Sequence, residues 1–180
     1  MIFSDYNKLN ITFCGMMGSG KSIIGSKFAK IINYNFLDTD NLIVKKTGKS
    51  ISQIFSESGE SYFRELEEKY ISKLLFRENY VFSLGGGVMN NFKLRNIIKK
   101  NSFNIYLKVE TNLLSKRLES SKNRPLINNL NIKQKLNELM NERESFYKKA
   151  DLTIKNDKKI SDTINELKKK FNIRLKKLIF

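Results

Sequence analysis

The chain is 180 residues long and carries 34 Lys and Arg against 18 Asp and Glu, a formal charge of +16, with no histidine and one cysteine. That length suits one α/β domain with a real core and is short for two enzyme domains. The missing histidine excludes imidazole bases, histidine metal ligands and Ser-His-Asp triads, while the lone Cys14 excludes an intramolecular disulfide and a cysteine zinc site, a usage that suits a reducing compartment.

The polar start, Met1 to Asn10, lacks the apolar core of a signal peptide. Leu9 to Cys14 is a short apolar run predicted as a strand. A glycine-rich stretch follows, then a helix with Ile23, Ile24, Phe28, Ile31 and Ile32 on one side. Further strands are expected over Asn35 to Asp38, Tyr80 to Leu84, Phe103 to Val109 and Leu152 to Lys155. Helices are expected over Asn41 to Lys46, Ser50 to Ser56, Tyr62 to Phe76, Phe92 to Lys99, Thr111 to Leu118, Ile132 to Lys149 and Ser161 to Lys176. Strands separated by helices predict an α/β fold with a five-stranded parallel sheet covered on both faces. Ligands in such folds sit beyond the carboxyl ends of the strands, so the residues just after each strand are the candidates for function. The polar, Asn-rich stretch Glu119 to Asn131 holds the only proline, Pro125, and reads either as a plain surface loop or as a mobile lid over about 119–131.

Directly after the first strand comes Gly15-Met16-Met17-Gly18-Ser19-Gly20-Lys21-Ser22, a complete G-x-x-x-x-G-K-S pattern. Glycines let such a loop curl so that backbone N–H groups around Gly18, Ser19 and Gly20 converge on phosphate at a helix N-terminus. Lys21 is expected to reach the β- and γ-phosphates and Ser22 to ligate magnesium. The strand before the pattern and the helix after it are the context that a nucleotide-binding loop needs. Cys14 and the two methionines of the loop read as core packing rather than chemistry.

Two more clusters follow strand ends. In Asp38-Thr39-Asp40 an extended backbone would point both carboxylates the same way, one toward magnesium water and the other toward an acceptor hydroxyl. The structural alternative is a helix N-cap followed by a first-turn acid. Ser83-Leu84 leads into Gly85-Gly86-Gly87, a costly run in backbone entropy that suits either a ligand lying against bare peptide N–H groups or a tight turn.

Taken in order, these residues resemble shikimate kinases, small P-loop kinases with a nucleoside-monophosphate-kinase-like, three-layer fold. The resemblance spans most of the chain. It includes Gly15 to Ser22, Asp38-Thr39-Asp40, Ser50 to Phe55, Gly59-Glu60, Phe63 to Glu67, Gly85 to Gly87, Arg117, Arg124-Pro125-Leu126, and Arg143 with Tyr147 and Ala150. It implies ATP-dependent phosphorylation of shikimate to shikimate 3-phosphate, with ATP and Mg2+ as cofactors. It further implies that Ser22 ligates the metal directly and that Asp38 holds it through water, with Ser83 a weaker candidate nearby. Asp40 would be the base at the acceptor hydroxyl. Arg64, Arg143 and the backbone of Gly85, Gly86 and Gly87 would grip the substrate carboxylate, a planar anion that suits the guanidinium fork. Arg117 would stack on adenine, and Arg124, with Lys21, would neutralise the transferring phosphoryl group. From the residues alone, Arg64 could simply pair with Glu60, Glu67 or Glu68, Arg143 with Glu142 or Glu144, and Arg117 and Arg124 could be solvated charges. Ile23 departs from the pattern, standing where many relatives have threonine. The tail from Phe171 places Phe171, Leu175, Leu178 and Ile179 at helical spacing, as a packed helix would.

The charge is uneven, +2 over residues 1–90 and +14 over 91–180. Clustered cations attract nucleic acid. Here 27 Lys, 21 Asn and 20 Ile stand against only 7 Arg, a bias that A- and T-rich codons alone would produce. The expected protein is a cytoplasmic monomer that binds a small molecule and neither nucleic acid nor membrane, since no apolar run approaches the roughly 18–20 residues of a span. A gluconate-type or nucleotide kinase, a non-catalytic sensor and a nucleic-acid NTPase are the competing readings.

Overall fold

A computed structural model describes residues 10–119 and 132–171. The strands are β1 (Asn10–Cys14), β2 (Asn35–Asp38), β3 (Tyr80–Ser83), β4 (Ser102–Lys108) and β5 (Leu152–Lys155). The helices are α1 (Lys21–Ile32), α2 (Thr39–Thr47), α3 (Ile51–Leu74), α4 (Phe92–Asn101), α5 (Thr111–Glu119), α6 (Ile132–Tyr147) and α7 (Ile160–Lys170). All strand pairs are parallel, and the order across the sheet is β2-β3-β1-β4-β5.

The strands are apolar on both faces because both faces are covered. Ile11, Phe13, Val81, Phe103, Ile105 and Leu107 pack with Ile24 and Phe28 of α1 and Leu167 of α7. Cys14, Phe82 and Tyr106 point the other way, against Ile71 of α3, Leu94 of α4, Leu114 of α5 and Leu136 of α6. These are the three layers expected from the sequence. A smaller cluster, Ile43, Ile54, Phe63 and Leu66, holds α2 against α3.

Two local expectations are corrected. The helices expected over 50–56 and 62–76 form α3, whose path breaks at Gly59, where φ is 79° and ψ 170°. Only glycine adopts such a backbone cheaply, so one residue redirects the chain without ending the helix pair. A capping box opens α3: Ser50 Oγ accepts from Gln53 N at 3.2 Å, and Ser50 N donates to Gln53 Oε1 at 2.8 Å. The second correction concerns Asp38-Thr39-Asp40, which is not extended. Asp38 ends β2 and caps α2, its Oδ1 accepting from Asp40 N and Asn41 N at 3.1 Å each, so Asp40 sits in the first helical turn. The lid expected at 119–131 lies, beyond Glu119, outside the described residues, as does the tail after Phe171.

Candidate active site

β1 lies between β3 and β4, so the loops leaving β1 and β3 meet at the carboxyl edge of the sheet, where open α/β sheets bind ligands. The loop from Gly15 to Ser22 occupies that edge. Gly20, with φ at 90°, provides the turn into α1. Lys21 is buried, and its ammonium donates to Gly15 O and Met16 O at 2.9 Å each, so the cation is held inside the curl of the loop. Cys14 at the loop entrance is fully buried, and burial pushes its thiol up to about 12; it is inert core, as expected.

Asp38 does two jobs at once. While Oδ1 caps α2, Oδ2 accepts from Ser22 Oγ at 2.6 Å, and Ser83 Oγ lies 3.3 Å from the same hydroxyl. The N-cap alternative therefore holds for this residue, and its second oxygen faces Ser22 of the phosphate loop. Ser22 Oγ and the Asp38 carboxylate are hard oxygen donors of the kind magnesium prefers. Among the described residues no group of three or more His, Cys, Asp or Glu could hold a metal ion.

A cavity of about 270 Å³ opens beside this pair, walled by Met17, Ser22, Asp38, Asp40, Arg64, Glu67, Gly86, Gly87 and Arg143, with Phe55 and Phe63 on its apolar side. The structure thus brings together residues from α1, α2, α3, α6 and the loop after β3. Arg64 does pair with acids, its Nε and Nη2 donating to Glu60 Oε1 at 3.2 and 2.6 Å and its Nη1 to Glu67, yet it still lines the cavity. Arg143 is only 3% exposed. Its buried Nε has no hydrogen-bond partner and lies 3.9 Å from Glu142 Oε1, while Glu144 pairs with Lys108 and Lys148 instead. A buried guanidinium with an unused donor, on the wall of a cavity of small-molecule size, is arranged for an anion.

The three glycines do different work. Gly85 N donates to Thr39 Oγ1 at 2.8 Å, and a Cβ there would lie 2.5 Å from Asp40 Oδ1 and 2.7 Å from Glu67 Oε1. A Cβ on Gly87 would lie 2.5 Å from the Arg64 guanidinium, which packs flat against this peptide. Gly86 faces Arg143, and its carbonyl accepts from Tyr147 OH. Glycine at 85 and 87 lets the charged ends of Asp40, Glu67 and Arg64 take up these close positions, which a Cβ would push aside.

Glu67 is the residue that sequence reasoning passed over as a partner for Arg64. It is 2% exposed, and Oε1 has no hydrogen-bond partner. Burial pushes its carboxyl up to about 7, against the pull of Arg64 and with a further push from Asp40. Besides its place at the end of the Phe63 to Glu67 run, its sequence signal is a glutamate three residues after an arginine, which equally describes a surface pair.

A second cavity, of about 450 Å³, lies on the far side of the loop and is lined by Gly18, Gly20, Lys21, Ser22, Ile23, Arg117, Asn156, Lys158 and Ile160. Ser22 is on the wall of both cavities. Arg117 donates from Nη1 to Gly18 O at 3.3 Å and from Nη2 to Asn156 O at 2.9 Å, so it belongs to the loop and is not a solvated charge. Ile23 presents an apolar face to this space, 52% exposed, where a threonine would have offered a hydroxyl. Asn156 was not anticipated from the sequence. Arg124 lies outside the described residues.

The family model for shikimate kinase matches residues 17–172. A curated shikimate kinase from Chlorobium phaeobacteroides is 39% identical over 176 residues, covering 93% of this chain and 93% of its own length. One from a Sulfurihydrogenibium species is 41% identical over 157 residues, covering 87% of this chain and 93% of its own. The solved structure of an Acinetobacter baumannii shikimate kinase in complex with shikimate matches with a TM-score of 0.87 and 31% identity, over 96% of this chain and 98% of that one.

Proposed function

The chain belongs to the shikimate kinase family, and from that premise we propose which of its residues carry each part of the reaction. The reaction is transfer of the γ-phosphoryl group of ATP to a hydroxyl of shikimate, giving shikimate 3-phosphate and ADP, a step of the chorismate and aromatic amino-acid pathway. The observation that carries the assignment is the pair of cavities that share Ser22. ATP enters from the side of Arg117 and Ile23, with its phosphates on the loop from Gly18 to Ser22 and Lys21. Shikimate occupies the smaller cavity with its carboxylate between Arg64 and Arg143, against Gly86 and Gly87; Gly85 shapes the floor through Thr39.

Asp40 is the base that accepts the proton of the acceptor hydroxyl. It is held in the first turn of α2, on the wall of the smaller cavity. Mg2+ would be held by Ser22 directly and by Asp38 through water, and when bound it neutralises charge on the transferring group. Arg124 adds positive charge at that group. Phosphoryl transfer asks mainly for alignment and charge neutralisation, and these residues supply both. The chain acts as one domain, a cytoplasmic monomer without a nucleic-acid or membrane partner. Among the described residues, no helix is long and apolar enough to cross a membrane.

A coupled assay of ADP release with shikimate tests the assignment directly. Turnover with shikimate that requires Mg2+ is expected. Phosphorylation of gluconate or a nucleoside monophosphate, with none of shikimate, would overturn it.

A further inference from the structure

Asn156 lies between β5 and α7, outside every motif read from the sequence, and is 2% exposed. Its backbone N–H donates to Lys108 O at 2.8 Å, which extends the β4–β5 pairing by one rung. Both polar atoms of its side-chain amide are engaged: Nδ2 donates to Ser19 O at 2.8 Å, and Oδ1 accepts from Thr163 Oγ1 at 2.6 Å. Its own carbonyl accepts from Arg117 Nη2, while Nη1 of the same arginine reaches Gly18 O. Thr163, on α7, is completely buried. A Cβ on Gly20 would lie 2.8 Å from Asn156 Nδ2, so the amide rests directly against the top of the phosphate loop.

We propose that Asn156 is a positioning residue for the nucleotide, fixing the crest of the phosphate loop and Arg117 as one unit. The orientation of the amide follows from the chemistry of its neighbours. Ser19 O can only accept, so the NH2 group must face it, and the Thr163 hydroxyl then supplies the donor for Oδ1. Holding Ser19 O toward Asn156 fixes the plane of the Ser19–Gly20 peptide. Since that peptide is trans, its N–H, which belongs to Gly20, is sent the opposite way. The loop thereby reaches its phosphate-cradling shape before any nucleotide arrives, so binding need not order it. Arg117 is registered to the same loop through the Asn156 carbonyl, so the clamp on the base and the cradle for the phosphates cannot drift apart.

The inference rests on reading the Gly15 to Ser22 loop as the nucleotide site, and ADP binding by the wild-type protein checks that premise separately. The test compares Asn156→Ala, Asn156→Asp and Thr163→Val with wild type for ADP affinity by calorimetry and for shikimate KM in the coupled assay. Asn156→Ala should weaken ADP about tenfold, the effect of roughly one hydrogen bond to a buried acceptor. Asn156→Asp keeps the shape but turns an acceptor toward Ser19 O, so it should weaken ADP more than alanine does. Thr163→Val leaves the Ser19 bond in place and loosens only its support, so about a threefold loss is expected. Shikimate KM should stay within about twofold in all three, since these sites share no partner with the acid cavity. Equal losses for ADP and shikimate, or unchanged ADP affinity in Asn156→Asp and Thr163→Val, would overturn the proposal. Should either Asn156 variant fail to fold, Thr163→Val alone still decides it.

Discussion

The buried Glu67 carboxylate makes a measurable demand on stability as pH changes, and Glu67→Gln exposes it. The ordinary glutamate value of 4.5 is raised to about 7 in the folded protein, first by burial and then by Asp40, with Arg64 opposing. Between those values the native state binds more protons than the unfolded state, so stability falls as pH rises through that window and levels off above it. At about 1.4 kcal/mol per pH unit, the loss between pH 5 and 8 is roughly 2–3 kcal/mol. Glutamine keeps the shape and cannot ionise, which removes this slope. The chain has no histidine, so few other side chains titrate in that window. Urea unfolding of both proteins at pH 5, 6, 7 and 8 should show the wild type losing about 2–3 kcal/mol relative to the variant, or roughly 5–10 °C in a parallel melting series. Parallel profiles for the two proteins would refute the argument, because the carboxyl would then titrate alike in the folded and unfolded chains.

Arg143→Lys keeps the charge but loses the planar fork in a buried wall position, so shikimate KM should rise at least about tenfold with ADP affinity unchanged; steady-state kinetics with each substrate varied checks this. Gly87→Ala places a methyl against the movable end of Arg64, not against backbone, so melting should hardly change while shikimate KM rises about tenfold. Asp40→Asn removes the base and should lower kcat by ~10²–10⁴ with nucleotide binding intact, read from single-turnover rates and calorimetry.

The phosphate loop, the five strands and most of the helices were legible in the sequence. A G-x-x-x-x-G-K-S string, an apolar run or a helical period depends only on the covalent spacing of the residues that compose it. The interruption between the helices expected at 50–56 and 62–76 was legible, but the continuation of α3 through Gly59 was not, since one φ value decides that. Asp38 and Asp40 were found as a pair for the wrong reason: the strand ends at Asp38, and a helix turn, rather than an extended backbone, brings both carboxylates to the cavity. The arginines could be recognised by family resemblance, yet whether Arg64 and Arg143 serve surface pairs or a cavity wall depended on burial. Burial is a property of what packs around a residue, and Arg143 has its Nε enclosed while Glu144, one position on, points to Lys108 and Lys148.

By itself, then, the sequence determined a P-loop kinase with a parallel sheet, because the phosphate-loop string and the strand and helix periods are each written in contiguous residues. The tertiary structure alone decided that glycine is needed at 85 and 87 to admit Asp40, Glu67 and Arg64, that Glu67 carries a raised pKa, and that Asn156 braces the phosphate loop from 137 residues away. Steric exclusion and desolvation arise only when distant segments compete for the same space, and no local pattern encodes which segments those will be.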